Sequence, residues 1–196
     1  MKILGLDAST KTGYAIIEDG VLISFGLVRA ESGGDTIPPD LELLYRADDM
    51  AKQISELVLL HKPDAVYIEQ TNAGRFRGSQ KQLEFIHCKF LTAMVSLKIP
   101  NVIYVDTSRW RSKLQIRLSK EQRVHNKLVR EKKVRGKVTP KHLAVIWANG
   151  KFNLNLKLKD NDIADAMAIA HYGYEDMTKP KQIVSNRSVE DILLKK

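Results

Sequence analysis

The sequence predicts an α/β domain. Its sheet is mixed and five-stranded, an antiparallel hairpin of strands 1–3 followed by parallel strands 4 and 5, flanked by helices. Three observations carry this. "KILGLD" (residues 2–7) and "AVYIE" (residues 65–69) are nearly unbroken apolar runs ending in an acid, as central strands covered on both faces are. "YAIIE" and "VLISFGLV" flank Asp19-Gly20, a two-residue hairpin signal. Helical periodicity then separates the later strands.

The elements follow in order. "STKTG" turns the first strand into the hairpin, and "RAESGGDTIPPD" is a polar loop rich in Gly and Pro. From Leu41 to His61, Leu44, Ala47, Ala51, Ile54, Leu57 and Val58 recur at helical spacing, with Asp40 as N-cap and Pro63 as stop. "AVYIE" closes on Glu69 and leads into "QTNAGRFRGS", a loop with two glycines and two arginines. Gln80 to Leu97 is helical and apolar around much of its circumference (Phe85, Ile86, Phe90, Met94 and Val95 among others). One sheet-facing stripe needs less, so a second contact surface is expected there. "VIYVD" is the fifth strand, ending in Asp106, and Thr107 or Ser108 caps the helix after it. "TPKHLAVIWANG" sets Thr139 at an N-cap, Pro140 at N1 and Gly150 past the helix end. "KDNDIADAMAIAH" opens the last helix, capped by Asp160 or Asn161. The domain is expected to span 1–178, with a polar tail over 179–196.

The chain has 196 residues, enough for one domain with a sizeable core. No apolar run reaches the roughly 18 residues that cross a bilayer, so no membrane partner is expected. An acid stands where a signal peptide needs its apolar stretch, and the single Cys88 cannot form an internal disulfide. A reducing cytoplasm is expected (the host's, if a phage encodes the chain). The net charge of +9 is unevenly placed: Arg109 to Lys141 holds 13 Lys or Arg against two acids, while the remaining residues sum to −2. A near-neutral body with one basic segment fits a polyanion partner. The plainer alternative is a solvated helical face. Trp110 argues against it, as an aromatic that can stack on a base or pack under Arg109 or Arg111.

The acids carry the chemistry. Asp162 and Asp165 share a helix face, and Asp7 and Glu69 end buried strands at the sheet edge where α/β proteins bind ligands. Singly, each is more simply a turn former or cap. Jointly, at those places, they predict a converging site. Four carboxylates raise one another's pKa, and a pair of hard divalent cations resolves the conflict. Oxygen-only ligands suit Mg²⁺, two per site, with Mn²⁺ as substitute. Two such ions roughly 3.5–4 Å apart serve phosphodiester hydrolysis.

"GLDASTKTGYAII", "AVYIEQ" and "DNDIADAMAIA" resemble the motifs of the RuvC family of Holliday junction resolvases, within the RNase H-like superfold. The resemblance runs from Met1 to about Tyr174, and "DTSRWRSKL" looks more like the phage and poxvirus branch. It implies an RNase H-like fold, crossover junction endodeoxyribonuclease activity, and Asp7, Glu69, Asp162 and Asp165 as catalytic and metal-binding acids. Bacterial members carry an aromatic three residues after the Glu. Here that place is Asn72, with Phe76 four further on, so their sequence preference does not carry over. The segment from Lys113 to Thr139 is longer and more basic than theirs, which suggests charge-driven recognition of branched DNA.

The expected DNA contacts are Arg109, Arg111 and Lys113 nearest the scissile strand, Arg75 and Arg77 in the loop after Glu69, and Arg117, Lys120 and Arg123. A homodimer is expected through Phe85, Phe90 and Met94, since a four-way junction presents two symmetric strands. Three other functions compete: a non-catalytic branched-DNA-binding protein, a nuclease for hybrids, and an ATP-binding protein of the sugar-kinase and Hsp70 superfold. The last needs a second phosphate loop and a Gly-rich adenosine motif, which the sequence lacks.

Overall fold

A computed structural model describes residues 1–31, 38–70 and 77–179, without the side chains of 39–40 and 77–79. The strands are β1 (Lys2–Asp7), β2 (Lys11–Glu18), β3 (Val21–Arg29), β4 (Ala65–Glu69) and β5 (Val102–Val105). The helices are α1 (Pro39–His61), α2 (Arg77–Ser96), α3 (Thr107–Lys113), α4 (Lys120–Arg130), α5 (Pro140–Phe152) and α6 (Asn161–Thr178), with a 3₁₀ turn over Leu158–Asp160 before α6. The sheet order is β3-β2-β1-β4-β5, antiparallel through β3-β2-β1 and parallel through β1-β4-β5. This is the expected mixed sheet. Asp19 and Gly20 both take positive φ, so the hairpin turns as the Asp-Gly pair predicts.

Strand parity sorts the core into two layers. Ile3, Ala65 and Tyr67 face α5 and α6, while Leu4, Leu6, Val66 and Ile68 face α1 and α2. Alternation therefore turns Asp7 and Glu69 towards α6. Leu6 pairs with Ile68 in the parallel register, which sets the two acids side by side at the C-terminal edge.

The α6 helix lies on the sheet almost main chain to main chain. Ala164, Ala166, Ala168 and Ala170 are fully buried. A Cβ on Gly5 would strike the backbone of Ala166 and Ala170, and one on Gly13 would strike the backbone of Asp162. Gly13 pairs with Asp7 across β1 and β2, so this close approach draws the first turn of α6 to Asp7.

Several local expectations are corrected. Phe90 and Met94 are fully buried in the α1–α2 layer, so they are not available as a dimer contact, while Phe85 packs against that layer and stays partly exposed. Most of the apolar arc of α2 serves α1 and the sheet together, but Val95 of that arc is exposed. The outer side of α2 carries Glu84, Cys88, Thr92 and Val95, all exposed. Pro38 rather than Asp40 precedes α1, with no side-chain cap, and the helix starts two residues earlier than expected because Pro39, pre-set in φ and with no N–H to satisfy, takes its first position. Asp106 caps α3 by accepting from the Ser108 N–H at 2.7 Å, a role expected of Thr107 or Ser108. Helix α5 runs through Gly150 and ends on Asn153 in the left-handed region.

The basic segment divides. Trp110 is fully buried, so it is not a base-stacking platform; the Arg111 guanidinium lies 4.7 Å over its ring. Helix α4 stands off the body and buries no residue. Ser119 and Gln122 cap its start reciprocally. The Asn126 amide donates to the Val138 carbonyl (2.7 Å) and accepts from the Val138 N–H (2.9 Å), and His125 bonds the Gly136 carbonyl at 2.8 Å. Arg123, Lys127 and Arg130 line one side of the lobe with Lys137.

Candidate active site

Asp7, Glu69, Asp162 and Asp165 lie close enough that each of the other three raises the carboxyl of Asp7. Burial is the largest cause of that rise, and together they hold Asp7 well above the ordinary carboxylate range. Lys141 offsets only part of it. Burial also pushes Asp165 up to about 7, against the opposing pull of Arg111.

Protein cations and donors surround the other three acids. Arg111 Nη2 donates to Asp165 Oδ2 at 2.9 Å. Lys11 and Lys141 reach the two oxygens of Asp162 at 3.4 and 3.5 Å. Lys141 also donates to Asn161 Oδ1 at 2.6 Å. Glu69 accepts from the Thr107 hydroxyl at Oε1 and from Trp110 Nε1 at Oε2 (3.2 Å). Sequence reasoning missed Lys11, Lys141, Thr107 and Trp110 as partners of these acids. The place of Lys141 and Trp110 within the basic segment was the one hint of them.

Among the described residues, no group of three or more His, Cys, Asp or Glu side chains is drawn tightly enough to hold a metal ion. The donor set is nonetheless of the kind that takes hard cations: four carboxylates and no His or Cys. Asp165 Oδ1 is buried without a hydrogen-bond partner, an acceptor still to be satisfied.

The expected DNA contacts separate on the structure. Arg75 lies outside the described residues, as do Asn72 and Phe76, and Arg77 begins α2 with its side chain undescribed. Arg111 is turned onto Asp165. Arg109 and Lys113 sit on another face of α3, lining a hollow of about 580 Å³ with Glu175 and Asp176, so the three do not form one cluster at the acids. Arg117 donates to the Ser108 carbonyl at 2.7 Å. With Arg111 and Arg123 it lines a groove of about 480 Å³ along the start of α3. Lys120 opens α4 on its exposed side. His171 is buried beside Trp147 and Phe152 and lies outside the acid group, as its spacing from Asp165 predicts.

Solved structures share this architecture. Thermus thermophilus RuvC, solved in complex with a Holliday junction substrate, covers 91% of this chain and 96% of its own with a TM-score of 0.64 at 16% identity. The chain has the RuvC fold. Another solved RuvC-fold protein, the yeast mitochondrial Holliday junction resolvase Ydc2, covers 87% of this chain and 76% of its own, with a TM-score of 0.50 at 17% identity. By sequence, the crossover junction endodeoxyribonuclease RuvC of Alkalilimnicola ehrlichii is 31% identical over 108 residues, 53% of this chain. The matched stretch spans 61% of that RuvC, less than two thirds of its length. No family model matches the chain.

Proposed function

We propose that the chain is a divalent-metal-dependent endodeoxyribonuclease that cuts four-way junctions and other branched DNA, acting as a homodimer. The observation that carries this reading is the placement of Asp7, Glu69, Asp162 and Asp165 on one edge of a RuvC-fold sheet, with a buried carboxylate oxygen left unpaired. RuvC and Ydc2 are named for action on Holliday junctions, which gives the acids a substrate class.

Two Mg²⁺ ions held there, or Mn²⁺ in their place, would neutralise the carboxylates and serve as Lewis acids for phosphodiester hydrolysis. The chain's own residues prepare the rest. Asp7 and Glu69 are fixed by the β1–β4 register, and Asp162 and Asp165 by the packing of α6 on Gly13. Trp110 and Thr107 hold Glu69 in one orientation. The groove of Arg111, Arg117 and Arg123 leads a phosphate backbone towards the acids, and the α4 lobe adds further cationic contacts. Two cuts on a twofold-symmetric substrate call for two active sites, which supports a dimer, through a surface other than the buried Phe90 and Met94.

The test is purified protein with Mg²⁺ on labelled four-way, flapped and linear DNA. Symmetric cuts in the four-way substrate, absent in Asp7→Asn, Glu69→Gln and Asp165→Asn, are the expected result. Binding of the junction with no cleavage under any divalent metal would favour the non-catalytic DNA-binding reading.

A further inference from the structure

Arg111 and Asp165 make an incomplete ion pair. The two side chains are 17% and 5% exposed, and one bond of 2.9 Å joins them. Arg111 Nε and Asp165 Oδ1 are both buried with no hydrogen-bond partner. A structural Arg–carboxylate pair at this burial gains most from two parallel bonds, which would satisfy both orphans. This pair leaves them open. The guanidinium rests on the Trp110 ring, and the same residue lines the groove shared with Arg117 and Arg123. Arg111 therefore stands on the boundary between the acid site and the proposed path of the phosphate backbone.

We propose that Arg111 is a resident counter-ion, which shields Asp165 in the metal-free protein and moves to a DNA phosphate in the groove when a divalent cation takes its place. This rests on the metal-nuclease reading above. A guanidinium and a divalent cation would compete for the Asp165 carboxylate, because each repels the other at bonding distance from the same group. A phosphate in the groove gives Arg111 an alternative partner, whose bidentate geometry suits the fork that Asp165 leaves half used. DNA and metal then favour one another's binding, and the coupling is reciprocal. Arg111 is a positioning residue: it acts through Asp165 and through the phosphate.

The test is Mn²⁺ binding to the DNA-free protein, read as the loss of free Mn²⁺ by electron paramagnetic resonance, for wild type, Arg111→Ala and Arg111→Gln. The glutamine keeps one donor for Asp165 without the charge, and covers the case in which the alanine protein does not fold. Removing the resident charge should tighten Mn²⁺ binding about tenfold, within the usual range of coupling between sites. Junction affinity measured with EDTA and with Ca²⁺ should show a smaller gain from Ca²⁺ in Arg111→Gln than in wild type. A purely structural Arg111 would move neither readout in that direction. Equal or weaker Mn²⁺ binding by both variants, with Asp7→Asn still weakening it, overturns the counter-ion role and leaves the metal site standing. Mn²⁺ binding indifferent to Asp7→Asn as well would overturn the metal-site reading itself.

Discussion

The two faces of the sheet are packed by different means. Towards α1 and α2 the layer is built from long side chains, with Met50, Ile54, Ile86, Phe90 and Met94 holding the helices away from the strands. Towards α6 the spacers are alanines and glycines, and helix backbone meets strand backbone at Gly5 and Gly13. Side-chain layers can repack when one member changes, at a cost set by the cavity left behind. Backbone packed on backbone has no such freedom. The four acids hang from the face with the least freedom, and that is where ångström-scale placement matters for chemistry.

The largest effect should come from that close approach. Gly13→Ala places a methyl group against the main chain of Asp162, which cannot rotate away. It should cost more than about 4 kcal/mol or displace α6, and cleavage should be lost either way. A thermal melt beside a cleavage assay checks this, and a stable, active variant would erase the distinction between the faces. On the other layer, Phe90→Ala should cost about 3–5 kcal/mol through the cavity it opens. Cleavage per folded molecule should stay near wild type, because no acid rests on Phe90. Urea titration with activity normalised to the folded fraction reads both.

A third, smaller effect sharpens the contrast. The Asp165 carboxyl sits at about 7 in the folded protein against an ordinary 3.8. Between those values the native state holds a proton that the unfolded chain has released. Metal-free stability from this group is therefore full below about pH 4 and falls as pH rises towards 7. Urea midpoints from pH 4 to 8 in EDTA should show that decline, and Asp165→Asn should flatten it. Asp7→Asn should likewise raise metal-free stability near neutral pH while abolishing cleavage, since it removes a carboxyl held among three others. The smallest change in stability belongs to the α4 lobe. Replacing Arg123, Lys127 and Arg130 with alanine should alter it by no more than about 0.5 kcal/mol. The same variant should lower the salt slope of junction binding by about 0.9 for each phosphate it no longer neutralises.

Much of this is legible in the chain because it is local. Two apolar strands ending in Asp7 and Glu69, an Asp-Gly turn and an Ala-rich helix opening on Asp162 and Asp165 place the acids on one edge through periodicity and turn chemistry. The neutralising partners are not legible. Lys11, Arg111 and Lys141 lie on three separate elements and meet the acids only through tertiary packing, so nothing in their spacing marks them. The burial of Phe90 and Met94 escapes the sequence for a related reason. An apolar arc records how much surface is covered, and whether a second helix or a second molecule covers it is decided by the path of α1. The ends at Pro38 and Asn153 differ from expectation by a residue or a few, because several neighbouring residues can satisfy the same orphan groups of a helix end.

The double hydrogen bond between Asn126 and the main chain of Val138 has a consequence for the speed of encounter with DNA. It ties the segment returning from α4 back to that helix. A basic segment of this length left unfolded would have to order itself on the duplex, losing entropy at the moment of binding. With the segment tied back, that loss would be borne during folding, and on the proposed function Arg123, Lys127 and Arg130 would meet the nucleic acid as a fixed row of charge. Long-range attraction would then align the molecule before it touches, so association is expected to be limited by diffusion and ionic strength more than by rearrangement.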